Sequence, residues 1–218
     1  MADGSRHSLY AVKESVYGET PANPALDLVR ITGTTLGLAK DSIQSEEIRS
    51  DRQISDFRLG SNNVSGDISF ELSYGSFDDL LESVLMSSGW NADAPIVGTD
   101  QIKAEATRSS FTFVRHFSDI LTAGNPYYIY RGCELNSMSL SVSANAVITG
   151  TIGIVGKSQA LAQTTAVLGA PTYPAPSATK PLDSFTGSLN EGGASIAVIT
   201  EITLDLANGL LSHARLSP

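Results

Sequence analysis

Residues 64–87 read VSGDISFELSYGSFDDLLESVLMS, and this run contains both kinds of element from which the fold is predicted. Apolar residues or glycine occupy the even positions from Val64 to Tyr74, whereas Ser, Asp or Glu occupy the odd positions. Period-2 alternation is typical of a half-buried strand. The pattern therefore predicts a β-strand from Val64 to Tyr74 with one buried and one solvated face.

A helix is predicted directly after this strand, over about residues 76–87. One helical stripe holds its apolar residues, which are Phe77, Leu80, Leu81, Val84 and Leu85. That stripe is expected to lie on the sheet. Ser76 is expected to cap the helix, Asp78 and Asp79 to face the positive end of its dipole, and Gly89 to end it.

Five further strands are predicted from the same alternation. They are Val29–Ala39, Thr107–Phe117, Cys133–Ala144, Ala146–Val155 and Ser195–Leu206. In Cys133–Ala144 the apolar residues change parity around Asn136, so a bulge or bend is expected there. Because only one helix is evident and parallel pairing needs crossovers, the strands should pair antiparallel. The predicted fold is mainly β: an antiparallel β-sandwich or open barrel with one flanking helix.

Three segments are not expected to contribute to the hydrophobic core. Residues 1–24 end in GETPANP and are interpreted as an N-terminal arm closed by a proline turn. Residues 40–60 carry charges of both signs and are interpreted as a long loop. Residues 170–181 contain four prolines and are predicted to form an extended connector. The rest, 25–218, is interpreted as a single domain of 218 − 24 = 194 residues.

Composition excludes several classes of protein. The formal net charge of −9 argues against a protein that grips a phosphate backbone, because that affinity comes from Lys and Arg. The single cysteine, Cys133, cannot form an internal disulfide or complete a zinc site and is expected to be a small buried hydrophobe. No apolar run resembles a secretory signal or reaches the roughly 18–20 residues of a membrane helix, so a soluble chain outside the Sec pathway is expected.

No catalytic or cofactor motif meets its spacing requirements. The run Gly150–Ser158 resembles a phosphate-binding loop but has Thr151 where the first Walker glycine is needed, so a strand ending in a glycine turn is preferred. The three histidines are scattered, and no Gly-x-Ser-x-Gly elbow occurs. The acidic pair Asp78–Asp79 is explained by the helix dipole. We therefore expect no enzyme activity, no cofactor and no metal.

The sequence resembles a known family most strongly over its first 90 residues. The resemblance rests on VKESVYGETP at residues 12–21, SEEIRSDRQISD at 45–56, and FELSYGSFDDLL at 70–81. It is similar to the tail tube proteins of long-tailed bacteriophages. The resemblance implies a virion protein, assembled in the host cytoplasm, whose stacked, six-membered rings form the tail tube for genome ejection. Implied partners are further copies, a tape measure protein and a terminator protein, with DNA passing without specific binding.

Two sets of residues are assigned to that assembly. Ring-to-ring contacts are predicted in the charged loop, through Glu47, Arg49, Asp51, Arg52, Asp56 and Arg58. The channel wall is predicted to carry Asp67, Glu71, Glu201 and Asp205, because each pair lies four residues apart on the polar side of a predicted strand. A negative wall would repel the duplex and let it slide.

Two alternatives remain open. A Ser- and Thr-rich β-sandwich is also typical of carbohydrate-binding or adhesin modules, for which an aromatic platform would have to come from Trp90, Tyr127, Tyr128 and Tyr130. The adjacency of the tyrosines places them on both faces of a strand. A small hydrolase is the third class.

Because family members continue past the strand matching Ser195–Leu206, we also expect either a short member or a truncated chain with an open edge strand.

Overall fold

The computed structural model describes residues 6–45, 57–184, 190–191, 194–195 and 200–211. The fold is mainly β, with antiparallel strand pairing, one α-helix and no closure into a barrel. The strands are β1 (His7–Lys13), β2 (Asp27–Val29), β3 (Ile31–Thr34), β4 (Gly37–Gln44), β5 (Phe57–Glu71), β6 (Phe111–Phe117), β7 (Tyr127–Ser143), β8 (Thr149–Gly156), β9 (Ser158–Ala162), β10 (Asn190–Glu191), β11 (Ala194–Ser195) and β12 (Glu201–Ala207). The helix α1 spans Asp78–Val84. Short 3-10 helices span Thr122–Gly124 and Thr165–Leu168.

The long central strand β7 joins two halves of the main sheet. Its first half pairs with β6 and β9, and β6 continues through β1 to β2. Its second half pairs with β8 and β12, and β8 continues through β5 to β3 and β4. The register shifts between Leu135 and Ser137, which confirms the bulge predicted at Asn136.

The main core lies where these two halves face each other. Leu9 and Phe113 from the first half and Ile68 and Ile152 from the second belong to one cluster of fully buried side chains. Tyr130 Oη, in the first half, donates a hydrogen bond to the carbonyl oxygen of Leu36 at 3.1 Å. The two halves therefore pack as the layers of a sandwich.

The predicted helix forms, but it is shorter than expected and is capped differently. Its apolar stripe is buried on the sheet, and the rings of Phe70 and Phe77 lie 4.4 Å apart between centroids. The predicted Ser76 cap is wrong: Phe77 occupies the cap position without a side-chain bond, and Ser76 Oγ accepts from Ser73 Oγ. The helix ends at Val84 with Leu85 as its C-cap, before Gly89, because Met86 adopts a positive φ of 49°.

The segment predicted as an N-terminal arm, residues 1–24, contains a strand of the main sheet. Residues His7–Lys13 form β1, which pairs with β6 in register from His7 and Phe117 to Lys13 and Phe111. Burial of Leu9 holds this strand in the core. Burial of apolar side chains therefore stabilises the strand β1, even though turn-forming residues follow it.

Several other boundaries differ from prediction. The strand predicted over Val29–Ala39 is divided among β2, β3 and β4, and the strand predicted from Thr107 begins at Phe111. The charged loop is shorter than residues 40–60, because β4 continues to Gln44 and β5 already begins at Phe57. The predicted strand ending at Tyr74 ends at Glu71, and Tyr74 is exposed instead of lying in the core. Residues 196–199 of the last predicted strand lie outside the described part of the chain.

Candidate assembly surfaces

Four adjacent strands, in the order β5, β8, β7 and β12, share one polar surface. Cross-strand registers align its residues in the rows Asp67–Gly153–Ser137, Ser69–Thr151–Ser139–Asp205, Glu71–Thr149–Ser141–Thr203 and Ser143–Glu201. We call these residues the polar face. All of them except Gly153 are at least partly exposed, and none is Lys or Arg.

The polar face brings together all four acidic residues assigned from sequence to the channel wall. Asp67 and Glu71 lie on β5 at one side of the Ser and Thr rows, and Glu201 and Asp205 lie on β12 at the other. Three strand spacings of about 4.8 Å separate the two acidic columns by roughly 14 Å. This surface is therefore a hydroxyl-rich band bordered on both sides by carboxylates.

Short polar side chains hold one border of this face in place. Ser141 Oγ and Ser143 Oγ both donate to Glu201 Oε1, at 3.3 and 3.4 Å. At the other border the backbone of Asp67 is fixed, because its N–H donates to Thr35 Oγ1 at 2.8 Å and its carbonyl accepts from Thr35 N–H. The carboxylates thus project from ordered backbone.

The opposite side of the same strands is apolar, and its cover is incomplete at β12. Phe70 and Leu140 reach into the core over Gly150, where a Cβ would lie 2.5 Å from the Phe70 ring. In the same apolar rows, Ile202 is 38% exposed and Leu204 is 53% exposed. Within the described residues β12 pairs only with β7, so its outer edge is open. An open edge beside exposed aliphatic side chains is typical of a surface that another chain covers.

The strands β4 and β5 form a hairpin that extends beyond the rest of the sheet. Pairing of β5 with β8 stops at Val64 and Gly156, whereas β4 and β5 remain paired as far as Gln44 and Phe57. We call residues 39–44 and 57–63 the projecting hairpin. Of the charged residues assigned to stacking, Arg58 lies here and is exposed. The others, Glu47, Arg49, Asp51, Arg52 and Asp56, lie outside the described residues.

Two aliphatic side chains on this hairpin were not anticipated from the sequence. Ile43 is 61% exposed and Leu59 is 62% exposed. Ile43 pairs with Arg58, and the neighbouring Leu59 pairs with Ser42, so the two aliphatic residues lie on opposite faces of the hairpin. In the sequence, Ile43 and Leu59 could have been recognised as two aliphatic residues that border a charged segment.

The family model for phage tail tube protein matches residues 4–217. The chain belongs to the phage tail tube protein family. Its β-rich fold, open sheet edge and projecting hairpin are thus features of a tail tube structural protein, a component of the virion tail.

Comparison with solved structures gives distant similarities. A chain of the anti-feeding prophage cap, described as the tube terminating cap, is 11% identical and has a TM-score of 0.43, over 74% of this chain and 92% of that chain. A chain of the anti-feeding prophage baseplate is 11% identical with a TM-score of 0.44, over 73% and 94%. A chain of the extended PVC sheath–tube complex, an extracellular contractile injection system, is 7% identical with a TM-score of 0.41, over 70% and 86%. No curated protein matches the chain.

The tail tube motif at residues 12–21 is organised by a buried carboxylate that sequence reasoning missed. Glu14 is 8% exposed, and its Oε2 accepts from Gly18 N–H and Ser110 Oγ, both at 2.7 Å. Its Oε1 accepts from Thr112 Oγ1 at 2.7 Å and from Gly132 N–H at 2.9 Å. Glu14 therefore fixes the loop after β1 to β6 and β7. An acidic residue before a turn resembles a surface residue, so the sequence carries no signal for this role.

The aromatic platform required by the carbohydrate-binding alternative does not form from the tyrosines of β7. Tyr130 is 1% exposed, and Tyr127 and Tyr128 pack against different core clusters, as expected from their adjacency.

Cys133 is buried, and burial raises the pKa of its thiol. The described residues contain no cluster of three or more potential metal ligands. None of the helices in the described ranges has the length and apolar character needed to cross a membrane.

Proposed function

We propose that this tail tube protein assembles into stacked, six-membered rings whose common channel conducts the genome out of the virion, without enzymatic activity. The open edge of β12 and its exposed Ile202 and Leu204 support lateral contacts between neighbouring subunits. Pairing such an edge with another copy removes unpaired backbone groups, and closure of a ring leaves none exposed.

The proposal that the channel conducts DNA rests on one observation, the polar face. A ring repeats its four carboxylates, Asp67, Glu71, Glu201 and Asp205, around the axis. Duplex DNA carries about one negative charge per 1.7 Å of its length, so a wall of the same sign weakens adhesion. Serine and threonine hydroxyls between the carboxylates keep the wall hydrated. DNA would therefore pass without specific binding.

Further partners follow from membership of the family. Tail tube subunits meet other tail proteins, and we infer a tape measure protein inside the growing tube and a terminator protein at its end. Assembly would take place in the host cytoplasm, before the tail joins the virion. No cofactor is part of this proposal.

Electron microscopy of the purified chain tests the assembly. Tubes or rings should appear as concentration rises, and light scattering should show a matching increase in mass. Monomer alone, at every concentration and salt tested, would contradict ring formation.

Lysine substitutions test the channel wall. The variant in which Asp67, Glu71, Glu201 and Asp205 are all changed to Lys should still form tubes if none of these residues lies in a ring contact. Those tubes should retain added duplex DNA, more strongly at low than at high salt, because salt screens the new attraction. If the variant tubes bind duplex no better than the original at low ionic strength, these residues do not face the channel.

A pair of variants separates location from net charge. Asp67→Lys with Asp205→Lys raises the formal net charge from −9 by 4 to −5, and Glu19→Lys with Glu105→Lys does the same away from the polar face. Only the first variant should retain DNA inside its tubes. Equal retention by both would assign the effect to overall charge.

A further inference from the structure

The segment that follows β12 is bonded to the bulge of β7. We call residues 207–210 the latch. In the latch, Asn208 N–H donates to the Asn136 carbonyl oxygen at 2.7 Å, and Leu210 N–H donates to Asn136 Oδ1 at 2.6 Å. Asn136 accepts both bonds at the point where the register with β8 shifts, because a bulge leaves its extra residue outside the ladder. The latch therefore fixes the C-terminal end of β12 against β7.

The side chain of Asn208 bonds the latch to the helix as well. Its Nδ2 donates to the carbonyl oxygen of Val84 at 2.9 Å and to that of Leu135 at 3.0 Å. Val84 is the last residue of α1, and the carbonyl oxygens in the last turn of a helix have no N–H partner within the helix. Both partners of Nδ2 are acceptors, so only a donor group can close the latch at this position.

Apart from the latch, β12 is weakly held. Among the residues that the structure describes, it pairs with β7 alone, and its Ile202 and Leu204 are exposed. An edge element with few buried side chains opens locally at a lower free energy than the core. Opening of β12 should therefore break the latch without unfolding the rest of the sandwich.

The latch also contains the pair of residues at which proteins deamidate most readily, asparagine followed by glycine. Of the nine asparagines in the sequence, only Asn208 is followed by glycine. Glycine has no Cβ to hinder its backbone nitrogen, and it lets the chain turn toward the asparagine side chain. Gly209 is exposed, has φ of 65°, and would place a Cβ in space that the other described residues leave open. The reactive pair thus lies at the point on which closure of the latch depends.

We propose that Asn208 is a modification site that deamidates when the latch is open, and that the product can no longer close the latch. The Gly209 nitrogen loses its proton to hydroxide and bonds to Asn208 Cγ. The Cγ–Nδ2 bond breaks, and ammonia leaves with a proton taken from water. Water then opens the cyclic imide at Cγ or at the backbone carbonyl carbon, which gives aspartate or isoaspartate. Water is consumed, ammonia is released, and nothing is oxidised.

The hydrogen bonds of the latch explain both its protection and its loss. While the latch is closed, both bonds of Asn208 Nδ2 must break before this nitrogen can leave as ammonia. After the reaction, a carboxylate at position 208 donates nothing, and its charge faces two carbonyl oxygens, one of them at the negative end of α1. Isoaspartate also adds a methylene to the main chain, which displaces Leu210 N–H from Asn136. A chain that reacts while open therefore stays open.

Peptide mapping by mass spectrometry tests the site and its protection. At pH 8, conversion of Asn208 should be slower in the native chain than in guanidinium chloride by about tenfold or more, since two hydrogen bonds protect the amide. Asn145, exposed in the turn between β7 and β8, is the internal reference and should differ much less between the two conditions. Equal rates at Asn208 would overturn the protection, and no conversion in the unfolded chain would overturn the site itself.

Two variants separate opening of the latch from global unfolding. Asn136→Ala removes the side-chain acceptor of Leu210 N–H and should accelerate native conversion at Asn208 by about fivefold to tenfold. Ser139→Ala, on the same strand but outside the latch, should leave that rate unchanged. Both variants should react like the parent when unfolded. An unchanged native rate in Asn136→Ala would show that the latch does not control the reaction.

Gly209→Ala tests the reaction path and keeps the amide. Alanine is strained at φ of 65° and so weakens the latch, but its Cβ hinders the attacking nitrogen. Conversion of Asn208 should nevertheless fall well below that of the parent, in the native and in the unfolded chain. Because strain acts in the opposite direction, a slower reaction cannot come from a tighter latch. An unchanged rate in the unfolded chain would exclude attack by the Gly209 nitrogen.

Asn208→Asp imitates one product and tests whether the latch stays open. Hydrogen exchange of the β12 amides should be about tenfold or more faster than in the parent. It should also be faster than in Asn208→Ala, because the carboxylate adds repulsion to the loss of two bonds. Asn145→Asp adds the same charge at an exposed turn and should leave exchange of β12 unchanged. If Asn208→Asp and Asn145→Asp exchange alike, the product does not open the latch and the proposal fails.

The consequence for assembly rests on the proposed function, because it takes β12 as part of a subunit contact. Chains are aged as monomers and then allowed to form tubes. The tubes should be depleted in modified chains, which should remain in the supernatant. Equal fractions of modified chain in tubes and supernatant would overturn this consequence. Absence of tubes from fresh chains would count against the proposed function, whereas peptide mapping and hydrogen exchange decide the modification independently.

Discussion

Replacing Glu14 tests how the N-terminal motif is fixed to the sheet. Each oxygen of this buried carboxylate accepts from one hydroxyl and one backbone N–H. The hydroxyls of Ser110 and Thr112 can rotate to find or become acceptors, whereas the N–H groups of Gly18 and Gly132 cannot. The cost of a substitution therefore depends on how many backbone donors lose their acceptor.

The expected magnitudes follow from this count. In Glu14→Gln the amide nitrogen replaces one oxygen, so one buried N–H is left without an acceptor, at about 1–3 kcal/mol. In Glu14→Ala both N–H groups lose their acceptor and a space is left, so the free energy of unfolding should fall by about 3–5 kcal/mol. Alanine should thus destabilise the chain about twice as much as glutamine.

Urea unfolding followed by circular dichroism measures both effects, at a concentration where light scattering detects monomer only. Glu19→Gln and Glu19→Ala provide controls, because Glu19 is exposed in the same segment, and each should change stability by less than about 0.5 kcal/mol. The reasoning is refuted if Glu14→Gln unfolds within about 0.5 kcal/mol of the parent, or if it costs as much as Glu14→Ala.

Three other predictions concern single positions. Gly66 has φ of 147°, and a Cβ there would lie 2.6 Å from backbone atoms, so Gly66→Ala should lower the free energy of unfolding by about 2–4 kcal/mol, measured by urea titration. Asn208 Nδ2 donates to the carbonyls of Val84 and Leu135 at 2.9 and 3.0 Å, so Asn208→Ala should lower the melting temperature, with a loss of about 1–3 kcal/mol. Because burial raises the pKa of the Cys133 thiol, a disulfide-exchange reagent at pH 8 should react with it only after urea unfolds the chain; rapid reaction of the native chain would contradict its burial.

Local patterns in the sequence predicted local structure well. The alternation around Ile68 and Phe70 and the helical stripe after them reappear as buried positions. The parity change at Asn136 predicted the bulge, because side-chain period alone determines which residues can share a face. The same reasoning placed Asp67 and Glu71 on one side of their strand.

What the sequence could not predict depends on contacts between distant segments. The acidic pairs of β5 and β12 share one surface because these two strands are connected by pairing through β8 and β7. No local sequence pattern specifies that pairing. The buried Glu14 depends on donors 96 to 118 residues away, such as Ser110 and Gly132. Residues 40–44 of β4, beyond the predicted strand Val29–Ala39, were missed because their polar composition has low β propensity, and their pairing with β5 outweighs that preference.

The division of the sheet at Asn136 explains why the chain offers one extended polar surface. In the first half of β7 the two sides pack against different clusters, since Tyr130 belongs to one core and Ile129 to the other. Beyond the bulge only one side faces a core, and serines at alternate positions from Ser137 to Ser143 lie on the other. The first half of β7 is therefore buried on both sides, whereas beyond Asn136 one side is buried and the other is exposed. Charges on the exposed side can change without disturbing either core. The lysine substitutions should therefore leave the fold intact and alter DNA retention.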